Sequence, residues 1–362
     1  MAQIESLDPF RQKIDEIDVQ LLKLLSERAL IVQEVGKIKR EQGAAFYAPS
    51  REQAIYKRLN QVNTGPFPEK AIRSIFREII SASLSLEEPV KVAYLGPRAT
   101  FTHLACIQRF GSSVTDHSVN SITGVFDEIE RGLADYGVVP IENSTEGVVN
   151  HTLDLFVDSP LKIFGEIFLE VSHHLLSSAE NKESIRKIYS HSHAIAQCQS
   201  FLDANFSNIP VKEVSSTARA AELCQEDLEA GAIASELAAQ IYQIPVIQKR
   251  IEDNPHNMTR FLVISKKMPE PTGKDKTSII VSTRDEPGGL YKLLCPFSEQ
   301  KINLSKIESR PSKKKAWEYL FHIDMSGHIE DAPIRAVLDR LRPQTILLKV
   351  LGSYPVAEES IQ

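Results

Sequence analysis

A long apolar periodicity near the N-terminus constrains the fold more than any other feature of the sequence. From about Pro9 to Glu41, apolar residues recur at three- and four-residue spacing, which predicts one unusually long helix. Ser50 has the residue type of an N-cap and predicts the start of a second helix. A third helix is expected from near Pro68 to about Leu86, and no strand pattern interrupts the segment. Residues 5–88 are therefore predicted to form an all-α unit of three helices.

Cationic residues lie along this helical segment. Arg28 and Lys39 are 11 positions apart, so they share a helix face and lie about 16 Å apart along the axis. Two long side chains can close across that span around a small dianion. Arg11 lies about 25 Å from Arg28, so it can join such a pocket only from an antiparallel partner chain. With Arg51 and Glu52 on the next helix, the pattern predicts an intertwined dimer with composite sites. The alternative is that these are ordinary surface charges on apolar stems.

The middle segment, residues 90–266, has a different pattern. Short apolar runs alternate with helical stretches, which is typical of βα units and predicts a largely parallel sheet, arranged in two lobes. The predicted strands are Val90–Leu95, Gly137–Ile141, Ile185–Tyr189, Val211–Val214, Ala232–Ala234 and Phe261–Ile264.

Hydroxyl and amide side chains follow most of these predicted strands. One interpretation is that they cap the helices that come next. The other is that they converge at one edge of the sheet, where α/β proteins bind ligands and where helix N-termini favour anions. The second interpretation predicts a cleft for a polar dicarboxylate. Its candidate residues are Thr100, Asn143, Ser144, Thr145, Ser190, His191, Ser216 and Thr217.

The last segment begins after a polar linker rich in proline and glycine at residues 267–276. A strand at Thr277–Thr283, a helix at Gly289–Gln300 and two hairpin strands follow. A helix at Ala332–Leu341 and a strand at Ile346–Leu351 complete the segment. The order βαββαβ predicts a ferredoxin-like sandwich.

Composition limits the classes of function. The net charge of −6 gives no electrostatic support for a nucleic-acid partner. The four cysteines are far apart and have no metal-ligand spacing, so they indicate free thiols in a reducing compartment. No apolar stretch approaches the roughly 18 residues of a membrane helix, and residues 1–10 do not resemble a signal peptide. We expect a cytoplasmic protein without a membrane partner.

Residues 5–88 resemble the all-helical chorismate mutase family. Arg11, Arg28, Lys39, Arg51 and Glu52 fall on the site positions of that family. The resemblance implies the rearrangement of chorismate to prephenate, in which the enzyme binds a compact conformer and stabilises charge on the ether oxygen. Two positions depart from the family pattern. Ala48 replaces a frequent Asp, and Glu87 replaces a frequent Gln that donates to the ether oxygen; Glu87 is still included among the catalytic candidates.

Residues 91–266 resemble the prephenate dehydratase family, whose fold is two-lobed like that of periplasmic binding proteins. The most specific motif is Asn257-Met258-Thr259-Arg260-Phe261, and Ala99 stands where the family usually has glycine. The other motifs are Pro140-Ile141-Glu142-Asn143-Ser144, and Ser190-His191 followed by Ala196-Gln197-Cys198. The resemblance implies that prephenate loses carbon dioxide and water to give phenylpyruvate.

The same resemblance assigns roles within the predicted cleft. Thr259 is implied to be central, as a positioned donor to the departing hydroxyl. Asn143, Ser190 and Gln197 are implied to orient the substrate. Either of two titratable groups, Glu142 or His191, is placed to supply the proton. Arg260 pairs either with a substrate carboxylate or with a structural partner. The substrate-binding candidates are Thr100, Ser144, Thr145, His191, Ser216, Thr217, Arg260 and Phe261.

Residues 277–355 resemble the ACT domain, a regulatory module that binds small molecules. The matching motifs are Pro287-Gly288-Gly289-Leu290 and Glu308-Ser309-Arg310-Pro311. Paired glycines allow close approach to the backbone, and helix-start N–H groups can bind a carboxylate. The resemblance implies phenylalanine as an effector, bound between two ACT domains by Gly288, Gly289, Leu290, Glu308, Ser309, Arg310 and Pro311.

The three segments in this order resemble the bifunctional chorismate mutase–prephenate dehydratases of phenylalanine biosynthesis. Neither activity needs a cofactor, and no metal is expected. Two alternatives stay open at this point. One is a dehydratase that uses arogenate and carries a weak mutase; the other is a non-catalytic, amino-acid-responsive binding protein on the same scaffold.

Overall fold

The computed structural model describes residues 7–42, 47–284, 286–312 and 319–357. The chain divides into two compact units. The first contains the chain up to Val90 together with Phe110–Thr115, and the second contains Lys91–Arg109 and the chain from Asp116 onward. No helix among the described residues has the length and apolar character that crossing a membrane requires.

The first unit consists of three helices, as predicted: α1 (Asp8–Gln42), α2 (Pro49–Val62) and α3 (Glu69–Glu87). In α1, which the structure describes in full, Gly36 is the one buried residue. Most of the apolar periodicity of this helix therefore lies on its exposed surface within one chain. The exposed apolar residues of α1 include Phe10, Ile14, Ile17, Leu21, Leu24, Leu25, Ile31, Val35 and Ile38.

The start of α2 differs from the prediction. Ala48, not Ser50, is the N-cap, and it makes no side-chain capping bond. Pro49 occupies the first turn, where its fixed φ suits a helix and its missing N–H removes nothing. The proline therefore sets the helix start two residues earlier than the serine indicated.

The first lobe of the second unit contains a six-stranded sheet in the order β2-β1-β3-β11-β5, with β4 paired to β3. Helices α4 (Phe101–Phe110), α5 (Ile122–Glu130) and α6 (Asn150–Asp158) accompany it. The strands are β1 (Lys91–Leu95), β2 (Thr115–Val119), β3 (Tyr136–Asn143), β4 (Gly147–Val148), β5 (Lys162–Glu170) and β11 (Met258–Ser265).

The second lobe contains a five-stranded sheet in the order β10-β6-β9-β7-β8. Its strands are β6 (His174–Ser177), β7 (Lys187–Ser190), β8 (Val211–Glu213), β9 (Ala230–Ala234) and β10 (Val246–Gln248). Its helices are α7 (Ser192–Gln197), α8 (Gln199–Phe206), α9 (Thr217–Glu226) and α10 (Glu236–Tyr242). The two-lobed α/β architecture confirms the predicted fold.

The prediction of a largely parallel sheet is wrong. Strand β11 runs antiparallel to both of its neighbours, β3 and β5. In the second lobe β6 is antiparallel to β9 and β10, while β7 is parallel to β8 and β9. The chain crosses between the lobes after β5 and returns as β11, and this returning strand enters the first sheet in the opposite direction.

The C-terminal part of the second unit has the predicted βαββαβ order. Its sheet follows the order β13-β14-β12-β15, which places β13 at an edge. Strand β12 begins at Asp275, two residues before the predicted start, because its pairing with β15 extends into the predicted linker. The elements are β12 (Asp275–Thr283), α11 (Gly289–Glu299), β13 (Leu304–Pro311), β14 (Tyr319–Ser326), α12 (Ala332–Leu341) and β15 (Thr345–Pro355).

The C-terminal sheet has two differently covered faces. Ile279, Val281 and Ile323 face a core shared with α11 and α12. Ile280 and Leu351, which point to the other face, belong to the same core cluster as residues of the first lobe such as Phe156. The sheets of the first lobe and of the C-terminal domain therefore pack on each other.

Gly352 lies at a close approach of these two sheets. A Cβ atom at this position would come within 2.3 Å of the carbonyl oxygen of Ile163 on β5. The backbone of Ile163 cannot yield as a flexible side chain does, so overpacking should cost about 1–3 kcal/mol. We expect Gly352→Ala to lower the free energy of unfolding of this unit by that amount, measured by urea denaturation.

Gly165→Ala is the matched control, because it adds the same atom to β5, where the nearest heavy atom is 4.0 Å away. Equal urea midpoints for the two variants would contradict the close approach of the sheets.

Candidate functional sites

The first unit brings three cations close to one carboxylate. The Nζ atom of Lys39 donates to Glu87 Oε2 at 3.0 Å, and the guanidinium of Arg28 donates to Ser83. Burial lowers the pKa of Arg28 from its ordinary value; Glu87 acts against this shift and Arg51 adds to it. Four predicted site residues from three helices therefore lie together. Such a group can bind an anion and present one carboxylate to it.

Two tyrosines that the sequence analysis did not identify fix Glu52. Its side chain is buried and accepts hydrogen bonds from Tyr47 at 2.9 Å and from Tyr56 at 2.8 Å. Tyr56 lies one helical turn after Glu52, a spacing that could have revealed it. Tyr47 precedes the helix, and no periodicity marked it.

Arg11 stands apart from this group. Its side chain is 69% exposed and pairs with Asp8 at 3.6 Å. It lies near the N-terminal end of α1, far along the axis from Arg28. Within one chain the cation cluster therefore forms without Arg11, and the prediction that Arg11 serves a partner's site stays a prediction.

In the second unit, Asn143 and Thr259 are register partners on the adjacent strands β3 and β11. The Oδ1 atom of Asn143 accepts from the backbone N–H groups of Thr145 at 2.9 Å and Glu146 at 3.0 Å. Backbone N–H groups only donate, so the amide nitrogen must point the other way. It donates to Thr259 Oγ1 at 2.8 Å and to Asn257 Oδ1 at 2.7 Å.

The hydrogen bonds continue from Asn257 to the second lobe. Gln197 Oε1 accepts from Asn257 Nδ2 and lies 2.9 Å from the Nε2 atom of His173. Gln197 Nε2 then donates to Glu146 at 2.9 Å, and Glu146 pairs with His193 at 2.6 Å. Two predicted residues, Asn143 and Gln197, are thus joined across the lobes.

Three members of this chain of bonds were missed or misjudged from the sequence. Asn257 lies inside the most specific motif but received no role. His173 and His193 were not among the predicted site residues. Burial lowers the pKa of His173, although Gln197 and Glu252 oppose the shift, so the ring is neutral near pH 7. No sequence pattern marked His173 as a partner of Gln197.

The hydrogen-bonded chain lies along a cleft of about 720 Å³. Asn143, Thr145, Glu146, Gln197 and Asn257 line it, and so do His193 and Asp253 from the second lobe. The cleft is large enough for a small dicarboxylate and presents amide, hydroxyl and carboxylate groups from both lobes.

Several predicted cleft residues have local partners. Ser190 is buried and donates to the carbonyl oxygen of Ile233 at 2.8 Å. Ser216 caps α9 and His191 caps α7, while Thr217 is the first residue of α9. Thr100 donates to the carbonyl oxygen of Pro97, and Ser144 accepts from the N–H of Met258. Phe261 is buried in the core.

Ala99 occupies the position where a glycine was expected. Its φ of 72° lies in the left-handed region, and its N–H donates to His103 Nδ1 at 3.1 Å. A left-handed conformation favours glycine, so alanine strains the backbone here.

Glu142 and Arg260 face away from the cleft. Successive side chains of a strand point to opposite faces, and each follows or precedes a cleft residue by one position. Glu142 pairs with Lys306 at 2.6 Å. Arg260 pairs with Glu166 and Asp324, both at 2.8 Å. The structure therefore places Arg260 in a protein ion pair, which was one of its two predicted roles.

The effector candidates lie at one end of the C-terminal sheet. Gly288 has a φ of 78° and precedes α11, and Gly289 lines a pocket of about 260 Å³. Strands β12 and β13 are both antiparallel to β14, which lies between them, so both finish at the same end of the sheet. Gly288 and Arg310 are therefore separated by one strand. Arg310 also reaches the first lobe, where it pairs with Asp154 at 3.2 Å.

Comparisons with known proteins agree with this division. The chain matches family models for chorismate mutase type II over residues 10–88, prephenate dehydratase over 92–269 and the ACT domain over 277–343. The bifunctional chorismate mutase/prephenate dehydratase of Aquifex aeolicus (strain VF5) is 49% identical over 358 residues, which cover 98% of this chain and 99% of that protein.

Solved structures give the same fold for the second unit. A prephenate dehydratase of Arthrobacter aurescens, solved in complex with L-Phe, is 34% identical with a TM-score of 0.68. The match covers 74% of this chain and 90% of that one. GqqA, described as a novel type of quorum quenching acylase, has a TM-score of 0.68 at 27% identity, covering 74% of this chain and 98% of its own.

A helical unit with a cation cluster, a two-lobed unit with a polar cleft and an ACT domain define a multidomain enzyme that carries two activities on one chain. The chain belongs to the family of bifunctional chorismate mutase/prephenate dehydratases. It therefore acts as an isomerase and as a lyase in amino-acid biosynthesis.

Proposed function

We propose that prephenate binds in the cleft between the lobes and that the Thr259 hydroxyl donates a hydrogen bond to its departing hydroxyl. One observation carries this assignment: the amide of Asn143 donates to Thr259 Oγ1, so the proton of Thr259 is free to point elsewhere. As the ring carboxylate leaves as carbon dioxide, its bonding electrons enter the ring and the hydroxyl leaves as water. A donor placed at that oxygen lowers the barrier.

Titratable groups that face the cleft differ from the two that the sequence suggested. Glu142 is paired with Lys306 on the opposite face of the sheet. Among the described residues, Glu146, His193 and Asp253 line the cleft. We assign the supply of the proton to the Glu146–His193 pair rather than to Glu142. Gln197, which Glu146 holds, orients the substrate.

Thr259→Ala and Asn143→Asp should both reduce dehydration of prephenate by about a hundredfold or more. The alanine removes the donor. The aspartate can still accept from Thr145 and Glu146, but its second oxygen accepts the proton of Thr259 and withdraws it from the substrate. Phenylpyruvate formation measures the loss.

Mutase activity of the same variants is the control for folding, because that site lies in the other unit. If Asn143→Asp kept its dehydratase rate while Thr259→Ala lost it, the proposed orientation of the Thr259 hydroxyl would be wrong.

For the mutase we propose that Arg28, Lys39, Arg51 and Glu52 of one chain and Arg11 of another enclose chorismate. The exposed apolar face of α1 supports a homodimer, because a second copy of the helix would cover it. Glu87, which lies 3.0 Å from Lys39, is the carboxylate that we assign to the same site.

Mixing Arg11→Ala chains with Arg28→Ala chains should restore about a quarter of wild-type mutase activity, since half of randomly formed dimers are hybrids with one intact site. Mixing Arg28→Ala with Lys39→Ala is the matched control. Both residues come from the same chain, so no hybrid has an intact site. Restoration in the control, or none in verified Arg11/Arg28 hybrids, would refute the composite site.

We propose that phenylalanine binds the ACT domain and inhibits the dehydratase allosterically. The solved relative from Arthrobacter aurescens, which contains L-Phe, supports this choice of effector. The left-handed Gly288 opens α11, where helix N–H groups can bind a carboxylate. An effector shifts an equilibrium only by binding one state better, so phenylalanine must favour the less active state.

Gly288→Val should raise the phenylalanine concentration for half-inhibition at least about tenfold, because it removes the backbone conformation that opens the helix. Gly273→Val is the control, since Gly273 has a similar φ of 86° and equally open surroundings in the linker. Unchanged inhibition in a folded Gly288→Val protein would place the effector elsewhere.

The location and the substrate of the enzyme follow from its thiols and from the attached mutase. We propose a cytoplasmic location, which the four free cysteines favour. Burial raises the pKa of the Cys224 thiol to about 11, so this thiol stays protonated. Prephenate is the proposed substrate because the attached mutase produces it. A coupled assay that starts from chorismate, with arogenate tested in parallel, separates this reading from an arogenate-using enzyme and from a non-catalytic binding protein.

A further inference from the structure

In two of the dehydratase motifs, successive side chains point alternately to the cleft and to the face that meets the ACT domain. Asn143 and Thr259 are register partners, and so are their neighbours Glu142 and Arg260. Because side chains alternate along a strand, the first pair faces the cleft and the second pair lies directly behind it on the opposite face. The pairing of β3 with β11 also shifts register next to Arg260, between Arg260 and Phe261. Such irregularities re-aim nearby side chains.

The ACT sheet presents the complementary charges. Lys306 and Asp324 are register partners on β13 and β14. Lys306 Nζ lies 2.6 Å from Glu142 Oε2, and Asp324 lies 2.8 Å from Arg260. Two charges behind the cleft therefore meet two opposite charges from the neighbouring sheet.

The two pairs differ in burial. Arg260 and Asp324 are both less than 9% exposed, whereas the side chain of Lys306 is 16% exposed and that of Glu142 is 38% exposed. Breaking the Arg260–Asp324 pair leaves a buried charge uncompensated, and breaking the Lys306–Glu142 pair releases the Glu142 side chain from β13. The strand to which Glu142 belongs also carries Asn143.

We propose that Lys306 of the ACT domain is a positioning residue for the dehydratase. By binding Glu142 it fixes the end of β3, which keeps the amide of Asn143 aimed at Thr259. Arg260 and Asp324 form the second ion pair between the domains, on the face of the sheet opposite Thr259. The dehydratase site is therefore complete only with the ACT sheet in place. This inference rests on the proposed roles of Asn143 and Thr259.

A matched lysine separates this role from general packing. Lys349, on β15, also reaches from the ACT sheet to the first lobe, where it donates to the carbonyl oxygens of Val157 and Ser159. Those carbonyls lie at the end of α6 and not beside a cleft residue. Loss of Lys349 removes a second lysine contact between the ACT sheet and the first lobe without touching the strand that carries Asn143.

The test compares Lys306→Met, Lys306→Arg and Lys349→Met in the full chain. We expect Lys306→Met to lower kcat for prephenate about ten- to a hundredfold, as misplacement of a reacting group does, with KM changed less than about threefold. Lys306→Arg should recover most of the rate. Lys349→Met should keep the wild-type kcat, and mutase activity should persist in all three.

A double substitution tests the path of the effect. If Lys306 acts through Glu142, Lys306→Met should lower kcat no further in a chain that already carries Glu142→Gln. If the fold losses in kcat of the two single variants instead multiply in the double variant, Lys306 acts independently of Glu142, and the inference is overturned. An unchanged kcat in Lys306→Met, or an equal loss in Lys349→Met, would also overturn it.

Two further measurements keep the outcome clear. If Lys306→Met does not fold, Lys306→Gln, which retains a hydrogen-bond donor without the charge, is measured in the same way. Thr259→Ala distinguishes a failure of the proposed function from a failure of the positioning role of Lys306. Full dehydratase activity in Thr259→Ala would reject the proposed function itself, whereas an inactive Thr259→Ala beside a fully active Lys306→Met would reject the positioning role alone.

Discussion

The orientation of one amide determines how the dehydratase cleft is arranged. The oxygen of Asn143 is held by two backbone N–H groups that follow it in the chain, so the nitrogen has a single direction left. In that direction it meets Thr259 and Asn257, and through Asn257 the second lobe. The turn at residues 143–146 therefore sets both the hydrogen bond that Thr259 accepts and the contact between the lobes.

The same strands must satisfy two environments at once. One face of β3 and β11 ends in the polar pair Asn143 and Thr259 beside the cleft, and the other face is covered by the ACT sheet, which shares its core with this lobe. The second sheet removes that face from water, so a charged residue there needs a partner of opposite charge. Glu142, Glu166 and Arg260 accordingly find their partners on the ACT side, at Lys306, Lys276 and Asp324.

Local patterns in the sequence were sufficient for the three helices, the two lobes and the βαββαβ domain, since each rests on periodicity and on short-range order. They were insufficient for β5, whose nine residues include Gly165 and the buried Glu166. A glutamate inside a strand core is acceptable only because Arg260 and Lys276, from distant parts of the chain, neutralise it. The direction of the strands within the sheets was also mispredicted. Strand β11 returns from the second lobe and runs antiparallel to β3 and β5, and local sequence patterns do not show this. The site motifs were found as consecutive residues, yet the alternation of side chains along a strand separates their members. Asn143 lines the cleft and donates to Thr259, while Glu142 and Arg260 pair with charges on the opposite face.

Buried charges between two sheets contribute little net stability, because desolvation offsets most of their attraction, and apolar side chains of the same size would often pack as well. Their effect lies in specificity. Two apolar sheet faces can shift against each other at a small cost in free energy, whereas displacing an ion pair between them leaves its charges without partners. Glu142 and Arg260 must meet Lys306 and Asp324, so only one placement of the ACT sheet on the lobe satisfies both pairs. The close approach of Gly352 to the backbone of Ile163 adds a steric limit on the same placement. Charge pairing and steric fit together therefore hold β13, which carries the proposed effector motif, in a fixed position relative to the strands that carry Asn143 and Thr259.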